Sequence, residues 1–242
     1  MIITSKDNNK IKYIRKLRNN KYMNEEKKFV VEGEHLVKEA LLANILIETF
    51  STNDTSYGVT NNLISSDVME SISNLPSKTD VIGICKYKKE NEVLGDKLII
   101  LDNVQDPGNL GTIIRSANAF GINSVILSKT SVNKYNEKVI RATQGMLFKM
   151  NVITRDLEEF IPSIIKDGYM VYGTNVVNGI NIKDIDKKGK IAIIMGSEGT
   201  GISNEVKGII DNNIYIDMKD SCESLNVAVA ASIIMYEIGS GK

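Results

Sequence analysis

The chain has 242 residues with 30 basic and 30 acidic side chains, so its formal net charge is zero. This length allows one large domain or two small ones, and 42% hydrophobic residues suffice for a packed core. No apolar run approaches the roughly 20 residues of a membrane helix, and the N-terminus lacks a signal-peptide core, so we expect no membrane span. Two cysteines and one histidine argue against a disulfide framework and a metal cluster, and favour a reducing, cytoplasmic location.

The charge is distributed unevenly along the chain. Residues 1–28 hold nine basic and three acidic side chains, so this arm carries +6 and the remainder carries −6. Such an arm predicts local attraction to phosphates. A solvated, lysine-rich helix would explain the same charges equally well. The candidate phosphate contacts are Lys10, Lys12, Arg15, Lys16, Arg18 and Lys21.

Residues 1–88 predict a small α/β domain. A buried helical face of Ile11, Ile14 and Leu17 is expected near its start, and Cys85 is expected to pack as a small hydrophobe. A polar, aperiodic stretch at 89–96 then predicts a linker. The predicted elements before the linker are helix 10–17, strand 29–33, helix 34–43, strands 45–50 and 62–64, helix 67–72 and strand 80–87.

A second α/β pattern covers residues 97–242. Continuous apolar strands that alternate with helices predict a parallel sheet covered by helices on both faces. Ligands bind such sheets outside the carboxyl ends of the strands, so the loops there are the places to look for chemistry. The predicted elements are strand 97–101, helix 109–120, strand 124–127, helix 136–146, an extended stretch 148–153, helix 157–166, strands 169–173 and 191–195, helix 204–210, strand 213–218 and helix 225–236.

The last helix, 225–236, is apolar or small at nearly every position and is predicted to be buried all round. Ser224 is expected to cap its free N–H groups. Asn226 in its first turn is a polar exception, and burying an amide without a partner is costly. We therefore expect either a protein group or a ligand to bind the Asn226 side chain.

The loop after the first strand of this domain runs from Asp102 to Asn118. Its Pro107-Gly108 pair predicts a tight turn, Asn109 is expected to open the following helix, and Arg115 and Asn118 share one helical face. An ordinary helix start with a surface arginine is the plain alternative. A dinucleotide site is disfavoured because no Gly-x-Gly-x-x-Gly follows the strand.

A second loop, residues 195–203, places three glycines around Glu198 directly after a buried strand. It is not a P-loop, because no Gly-Lys-Ser/Thr follows, and ATP chemistry is therefore not expected. Together with residues 216–226, these loops offer Arg115, the amides of Asn109, Asn118 and Asn226, and the carboxylate of Glu198, but no Ser-His-Asp set. This combination suits binding of an organic cofactor and alignment of a group-transfer reaction.

These three stretches resemble the SpoU (TrmH-like) family of RNA ribose 2′-O-methyltransferases. The first motif matches through Asn109 and Arg115, the second is Gly196-x-Glu198-x-x-Gly201, and the third spans 223–230. Residues 141–148 look like the stretch between the family's first two motifs. Residues 29–40 look like the family's small L30e-like, RNA-binding domain. The resemblance covers almost the whole chain.

The resemblance implies S-adenosylmethionine as methyl donor, a parallel sheet with a C-terminal trefoil knot, and a homodimer with active sites at its interface. It implies an RNA substrate, for which ribosomal RNA is favoured over transfer RNA because an L30e-like domain is a ribosomal RNA reader. The alternative class is a non-catalytic RNA-binding or ribosome-assembly protein on the same scaffold. The presence of the motif residues argues against it.

By position, the resemblance assigns three groups of site residues. It implies no metal, and it gives Arg115 the task of activating the ribose hydroxyl, although a guanidinium is protonated at neutral pH and makes a poor base. Asp217 and Asp220 stand where the family often has proline and glycine. The expected catalytic residues are Arg115, Asn109, Glu198, Ser224 and Asn226; the cofactor residues are Thr174, Asn175, Gly196, Glu198, Gly201, Ile216, Met218, Leu225 and Asn226; and the RNA contacts are the six basic residues above with Arg141.

Overall fold

The structure, a computed structural model, describes residues 2–176, 178–219 and 221–239. Its contacts divide the chain into two compact units. The N-terminal unit takes Met1–Lys89 and Tyr135–Lys149, and the C-terminal unit takes Glu90–Lys134 and Met150–Lys242. The contiguous domains at 1–88 and 97–242 stay a prediction; by contacts, a short stretch of the second belongs with the first.

The described residues alternate between helices and strands along the whole chain. The elements are α1 (Asn9–Leu17), α2 (Asn20–Glu26), β1 (Lys28–Glu32), α3 (Glu34–Leu42), β2 (Leu46–Ser51), β3 (Thr60–Leu63), α4 (Ser66–Ile72), β4 (Val81–Lys86), β5 (Lys97–Leu101), α5 (Pro107–Ala119), β6 (Ser124–Ser128), α6 (Glu137–Thr143), α7 (Met146–Lys149), β7 (Asn151–Arg155), α8 (Leu157–Lys166), β8 (Met170–Thr174), β9 (Ile180–Asn181), β10 (Ile191–Met195), α9 (Asn204–Lys207), β11 (Asn212–Tyr215) and α10 (Val227–Ile238).

The N-terminal unit is built on a mixed four-stranded sheet in the order β1-β4-β2-β3. β4 runs antiparallel to both β1 and β2, and β2 runs parallel to β3. Ile11, Ile14 and Leu17 are fully buried from one face of α1, as their spacing predicted. Cys85 is also fully buried, and this burial raises the pKa of its thiol.

The C-terminal unit is built on seven parallel strands in the order β7-β6-β5-β10-β8-β11-β9. β5, β6 and β10 are buried along almost their whole length, which explains their uninterrupted apolar sequences. The predicted parallel sheet is confirmed. Three strands that lie close together in this sheet, β5, β10 and β11, end in the loops that the sequence analysis selected, so the sheet brings those loops to one edge.

Two helices begin at other residues than predicted. Asp106 caps α5 by accepting from the backbone N–H of Asn109, so Asn109 lies in the first turn instead of opening the helix. Pro107 is the first residue of α5, where its missing N–H costs nothing. Asn226, and not Ser224, caps α10 by accepting from the backbone N–H groups of Ala228 and Val229.

The expectation that the last helix is buried all round is wrong on one side. Val229, Ile233 and Tyr236 are exposed by 48%, 37% and 71%, and their spacing places them on one face of α10. Beside this stripe, α10 packs against α5, where the Ser116 and Ser232 hydroxyls lie 2.8 Å apart. Burial of small residues alone therefore does not account for the composition of α10.

The stretch between β6 and β7 also differs from the prediction. The helix expected over 136–146 ends at Thr143, because Gln144 adopts a left-handed conformation with φ of 50°. Phe148 lies in α7, and the extended segment expected from 148 starts only at Asn151. Periodicity does not reveal a helix break of a single residue.

The chain returns across the sheet near its end. α10 follows β11, but it packs against α5, which follows β5 on the far side of β8 and β10. Such a return is what a knotted C-terminal region requires, and the trefoil knot itself stays a prediction. No helix among the described residues is both long and apolar enough to span a bilayer.

Candidate active site

Three polar side chains from separate parts of the sequence meet at the carboxyl edge of the parallel sheet. The Asn109 side-chain amide donates to Glu198 Oε1 over 3.0 Å. The Asn226 amide donates to the same carboxylate oxygen and also to Asn109 Oδ1, the latter over 3.0 Å. We call these residues the amide–carboxylate cluster. The expectation that Asn226 needs a partner is met within the protein.

Each member of the cluster is fixed by its own element. Asn109 lies in the first turn of α5, and its backbone N–H is bound by the Asp106 cap at 2.8 Å. Asn226 uses its side-chain oxygen to cap α10, which leaves its amide group to point at Glu198. Asn226 therefore carries two tasks with one side chain.

Glu198 lies in a tight loop closed by backbone hydrogen bonds between Ser197 and Gly201, of 3.1 and 2.9 Å. Gly196 opens this loop, and a Cβ there would lie 2.1 Å from both the Gly201 carbonyl carbon and the Ile202 nitrogen. The loop can fold back on itself only because residue 196 has no side chain. The glycines thus set the position of Glu198.

The end of the glycine loop is hydrogen-bonded to the residue that follows β5. Asp102, the first residue after β5, is 4% exposed, and its Oδ2 accepts from the backbone N–H of Ser203 over 2.7 Å. The backbone N–H of Asp102 also donates to the Met195 carbonyl. These bonds join the two loops that carry Asn109 and Glu198.

A cavity of about 470 Å³ opens beside Glu198. This volume lies within the roughly 300–1,000 Å³ of small-molecule sites. Its walls come from the ends of β8, β10 and β11 and from one face of α10, and they combine apolar side chains with polar loop groups. The cavity therefore suits an organic ligand with both apolar and polar parts.

Most of the predicted cofactor residues line this one cavity. Asn226 is not in its wall but binds Glu198, which is. Ser224, predicted as catalytic, also lies in the wall. The predicted residues found in the wall are Thr174, Asn175, Gly196, Glu198, Gly201, Ile216, Met218 and Leu225.

Other wall residues were missed by the sequence analysis. Val227, Ala230 and Ile234 contribute one face of α10 to the cavity, and their i, i+3, i+7 spacing could have identified them once that face was assigned to the site. Two more wall residues, Lys207 and Ile210, lie at and just after the end of α9. No pattern in the sequence marked them as part of the cavity. Of the two aspartates that depart from the family pattern, Asp217 accepts from the Asn181 amide over 2.6 Å; Asp220 lies outside the described residues.

Arg115 is set apart from the amide–carboxylate cluster. It lies on the exposed face of α5, about 9 Å along the helix axis from Asn109 at 1.5 Å per residue. No hydrogen bond or ion pair joins its side chain to another of the described residues, and Arg115 does not line the cavity. The guanidinium is therefore free to bind another group.

Most of the candidate RNA contacts lie on the surface of the N-terminal unit. Lys10, Lys12, Arg15, Lys16 and Lys21 are exposed. Lys12 forms a surface ion pair with Asp7 at 3.3 Å. The Lys10 ammonium donates to Asn62 Oδ1 over 2.6 Å, and the Arg15 guanidinium donates to the Lys6 carbonyl and the Ser71 hydroxyl, each over 3.0 Å. Arg141 lies on α6 in the same unit and is partly exposed.

Arg18 differs from the other candidates because it is turned inward. Its guanidinium binds Glu32 and Glu137, and it also donates to the Ile72 carbonyl. Its side chain is 13% exposed, compared with 56% for Lys12. The sequence could not separate the two, since both are basic residues of the same N-terminal segment.

The described residues contain no group of three or more His, Cys, Asp or Glu side chains placed to hold a metal ion.

Two family models match the chain. Residues 96–236 match the SpoU rRNA Methylase family, and residues 8–83 match the MRM3-like substrate binding domain. The first match contains the amide–carboxylate cluster, Arg115 and every residue of the cavity wall.

Individual relatives agree over nearly the full length. The chain is 34% identical over 243 aligned positions, 98% of each chain, to the 23S rRNA (guanosine(2553)-2′-O)-methyltransferase RlmP of Bacillus subtilis. A putative RNA methyltransferase of the TrmH family from Porphyromonas gingivalis is 30% identical with a TM-score of 0.87, covering 96% of this chain and 98% of its own. An AdoMet-bound rRNA methyltransferase from Sinorhizobium meliloti is 26% identical with a TM-score of 0.88, covering 98% and 97%. The chain belongs to the SpoU rRNA methylase family.

Proposed function

We propose that this protein transfers the methyl group of S-adenosylmethionine to a ribose 2′-hydroxyl of 23S ribosomal RNA, at a guanosine as in the Bacillus relative. The observation that carries the proposal is the amide–carboxylate cluster at the mouth of the cavity. Three motifs that are more than a hundred residues apart at their extremes converge there on one carboxylate oxygen. We place this reaction in the cytoplasm, and because the methyl group of the donor is already activated, the proposed transfer needs no metal.

The residues present fit S-adenosylmethionine. Ile216, Met218 and Leu225 offer apolar contact and backbone groups for the adenine, and Thr174 and Gly201 line the remaining wall. When bound, the cofactor supplies an activated methyl group on a sulfonium centre. The task left to the protein is alignment, since reacting atoms must approach to about 3–3.5 Å in line.

The amide–carboxylate cluster holds the mouth of the cavity in a fixed shape. Glu198 receives two N–H donors on one oxygen and keeps its other oxygen for the substrate ribose. Asn109, which is bound to Glu198, and Ser224, which lies in the same cavity wall, orient the ribose. The proton of the 2′-hydroxyl is released to solvent water, so the contribution of these groups is to reduce the freedom of the attacking hydroxyl.

Arg115 provides positive charge in this proposal. A guanidinium is protonated at neutral pH, so it stabilises the developing alkoxide or a neighbouring phosphate more readily than it removes a proton. It has no partner among the described residues of its own protomer. This supports a role toward a group outside the protomer.

A homodimer would supply that group. The exposed apolar residues of α10, Val229, Ile233 and Tyr236, lie on the helix that packs against α5, the helix that carries Arg115. An apolar stripe next to a free cation suits contact with a second copy of this chain. In such a dimer, Arg115 of each subunit would serve the cavity of the other. An Ile233→Asp variant is expected to be monomeric by light scattering and inactive; an active monomer would contradict the dimer.

The experiment for the catalytic proposal combines two readouts. The wild-type protein should bind S-adenosylmethionine in calorimetry and methylate an unmodified 23S rRNA fragment that contains guanosine 2553. Arg115→Ala should lower the methylation rate by about 100- to 1,000-fold, the loss typical for one charge-stabilising donor, while cofactor affinity stays near wild type.

Arg115→Lys is the matched control, since it keeps the charge and loses the planar fork; it should recover part of the rate. Loss of cofactor affinity in Arg115→Ala would contradict the assigned role. Absence of cofactor binding and of methylation in the wild type would overturn the proposed function.

A further inference from the structure

A short segment of the second domain by sequence, Tyr135–Lys149, packs with the N-terminal unit. We call it the inserted segment. The chain leaves the C-terminal unit after Lys134 and rejoins it at Met150, and between these points it forms α6 and α7. An excursion of this kind needs contacts that hold it in place, since 15 loosely held residues would lose considerable conformational entropy on ordering.

Aromatic contacts hold the beginning of the inserted segment. The Tyr135 ring is 3% exposed and stacks on Phe29 and Tyr87, with ring centroids 4.7 and 3.9 Å away. Its hydroxyl accepts from the backbone N–H of Lys88 over 3.0 Å.

The end of the segment is held by charge and by close backbone approach. Lys149 Nζ lies 2.7 Å from Glu39 Oε2. Gly145 has φ of 85°, and a Cβ there would lie 2.8 Å from Glu39 Cγ. His35 Nε2 also lies 3.2 Å from the Gln144 carbonyl oxygen. The segment is thus fitted closely to α3.

The first turn of α6 is held by Arg18. One guanidinium nitrogen binds both Glu32 and Glu137, whose side chains are 4% and 19% exposed. Glu137 also accepts from the Asn74 side-chain amide over 2.9 Å. Arg18 therefore joins the end of α1, β1 and the end of α4 to the first turn of α6. Removing one partner of such a sheltered group leaves the other charge without compensation.

The outer side of α6 carries basic side chains. Lys138 is exposed and Arg141, three residues on, is partly exposed, so both lie on one helical face. Lys149 at the end of the segment is exposed as well. These cations belong to the same unit as the exposed lysines of α1.

We propose that the inserted segment forms part of the RNA-binding surface of the N-terminal unit, and that Arg18 and Glu137 are positioning residues that hold α6 there. Arg18 thus acts through α6 and does not itself contact phosphate. This inference rests on the proposed function, since it assumes that RNA is the substrate.

The direction in which one substitution changes the RNA affinity tests the proposal. Glu137→Gln removes a negative charge from a surface that binds RNA, so electrostatics alone would strengthen binding. If Glu137 holds α6 in place, the same change weakens binding, by about tenfold if the segment stays docked in a tenth of the molecules. Affinity of the full-length protein is measured by fluorescence anisotropy with the 23S rRNA fragment that contains guanosine 2553. Unchanged or tighter binding by Glu137→Gln overturns the proposal.

Glu34→Gln is the matched control. Glu34 lies in the first turn of α3, and its side chain is 62% exposed and forms an ion pair with Lys38 in the same helix. Its loss should leave RNA affinity within about twofold of wild type, because exposed pairs contribute little. If Glu34→Gln lost as much RNA affinity as Glu137→Gln, this result would contradict a specific role of Glu137.

Arg18→Ala distinguishes positioning from direct contact. As a positioning residue, Arg18 gives the same loss as Glu137→Gln, and the double variant loses no more than either single variant. As a phosphate contact, it would lower the salt dependence of binding by one contact, about 0.7–0.9 in the log–log slope, and its effect would add to that of Glu137→Gln. The second pattern overturns the proposal.

Two further measurements distinguish a failure of this proposal from misfolding of a variant and from a failure of the proposed function. Cofactor affinity should be unchanged in every variant, because the cavity lies in the C-terminal unit; failure of the wild type to bind the cofactor would count against the proposed function instead. In the wild-type protein, RNA should slow amide hydrogen exchange across Tyr135–Lys149, and an unchanged exchange rate there overturns the inference.

Discussion

The two units place their polar side chains in different ways. In the C-terminal unit, all strands run parallel, so the segments after β5, β10 and β11 lie at one edge, and Asn109, Glu198 and Asn226 meet there in the amide–carboxylate cluster. In the N-terminal unit, the sheet is mixed and short, and the basic side chains are spread over the outer face of α1 with one turned inward. The parallel sheet of the C-terminal unit thus brings polar side chains together at one site. In the N-terminal unit, the basic side chains remain distributed over a surface.

The sharpest test of the concentrated site is Gly196→Ala. Because a Cβ would lie 2.1 Å from the backbone of Gly201 and Ile202, the glycine loop must open and Glu198 must move. We expect cofactor affinity to fall by about 100-fold, the upper range for an overpacked site, with RNA affinity unchanged. Gly199→Ala is the control in the same loop, since a Cβ there meets nothing within 4 Å. Equal effects of both variants, measured by calorimetry, would contradict a shape-dependent loop.

A second test separates the two tasks of Asn226. Asn226→Ala removes the α10 cap and the donor to Glu198, so both thermal stability and methylation should fall, the former by about 1 kcal/mol. Glu198→Gln leaves the cap in place and should lower methylation, by about tenfold to 100-fold, without a matching loss of stability. Differential scanning calorimetry and a methylation assay measure the two effects. A stable Asn226→Ala protein would show that the cap contributes nothing.

For the dispersed surface, a double change of Lys12 and Lys16 to Ala should weaken RNA binding by a few fold, reduce its salt dependence by up to about two contacts and leave cofactor affinity unchanged. Both residues are exposed on α1. Anisotropy titrations at several salt concentrations measure the slope. If the double variant lost as much RNA affinity as Glu137→Gln, a few lysines on this surface would dominate RNA binding, and the surface would not be dispersed.

The smallest expected effect depends on pH and concerns Glu90. Burial would raise the pKa of its carboxyl, but hydrogen bonds and charges from Lys134 and Arg155 outweigh it and hold the pKa below its usual range. A carboxyl with a lowered pKa in the folded state stabilises the fold above its unfolded pKa of about 4.3, and this stabilisation is lost as the pH falls through the lowered value.

The melting temperature of the wild type should therefore fall more steeply below about pH 4.3 than that of Glu90→Gln. Glu92→Gln is the control, because Glu92 also binds Arg155 but is 82% exposed. Parallel acid profiles for wild type and Glu90→Gln would show that the ion pairs do not stabilise the fold.

The sequence predicted the C-terminal unit well because its signals are local or repeated. Uninterrupted apolar strands indicate a parallel sheet, and ligands bind such a sheet at the loops after its strands. Asn109, Glu198 and Asn226 could therefore be assigned to one site from the sequence alone. The helix caps were misassigned because Asp106 and Asn109, or Ser224 and Asn226, are all good capping residues. Pro107 at the first helical position was the signal that could have decided the first case.

The N-terminal unit and the exposed face of α10 were less predictable for a different reason. Whether Arg18 faces water or Glu137 depends on a residue 119 positions away, and no local pattern carries that information. The exposed residues of α10 are apolar, so composition alone assigned them to a core. The position of the inserted segment likewise depends on contacts at long range.

Asn226 links helix formation to assembly of the cavity, and this has a consequence for the order of events during synthesis. Domains fold from the N-terminus as the chain emerges from the ribosome. α10 and its cap come after every other element of the cavity wall. A nascent chain therefore cannot complete the cavity wall until α10 has left the exit tunnel.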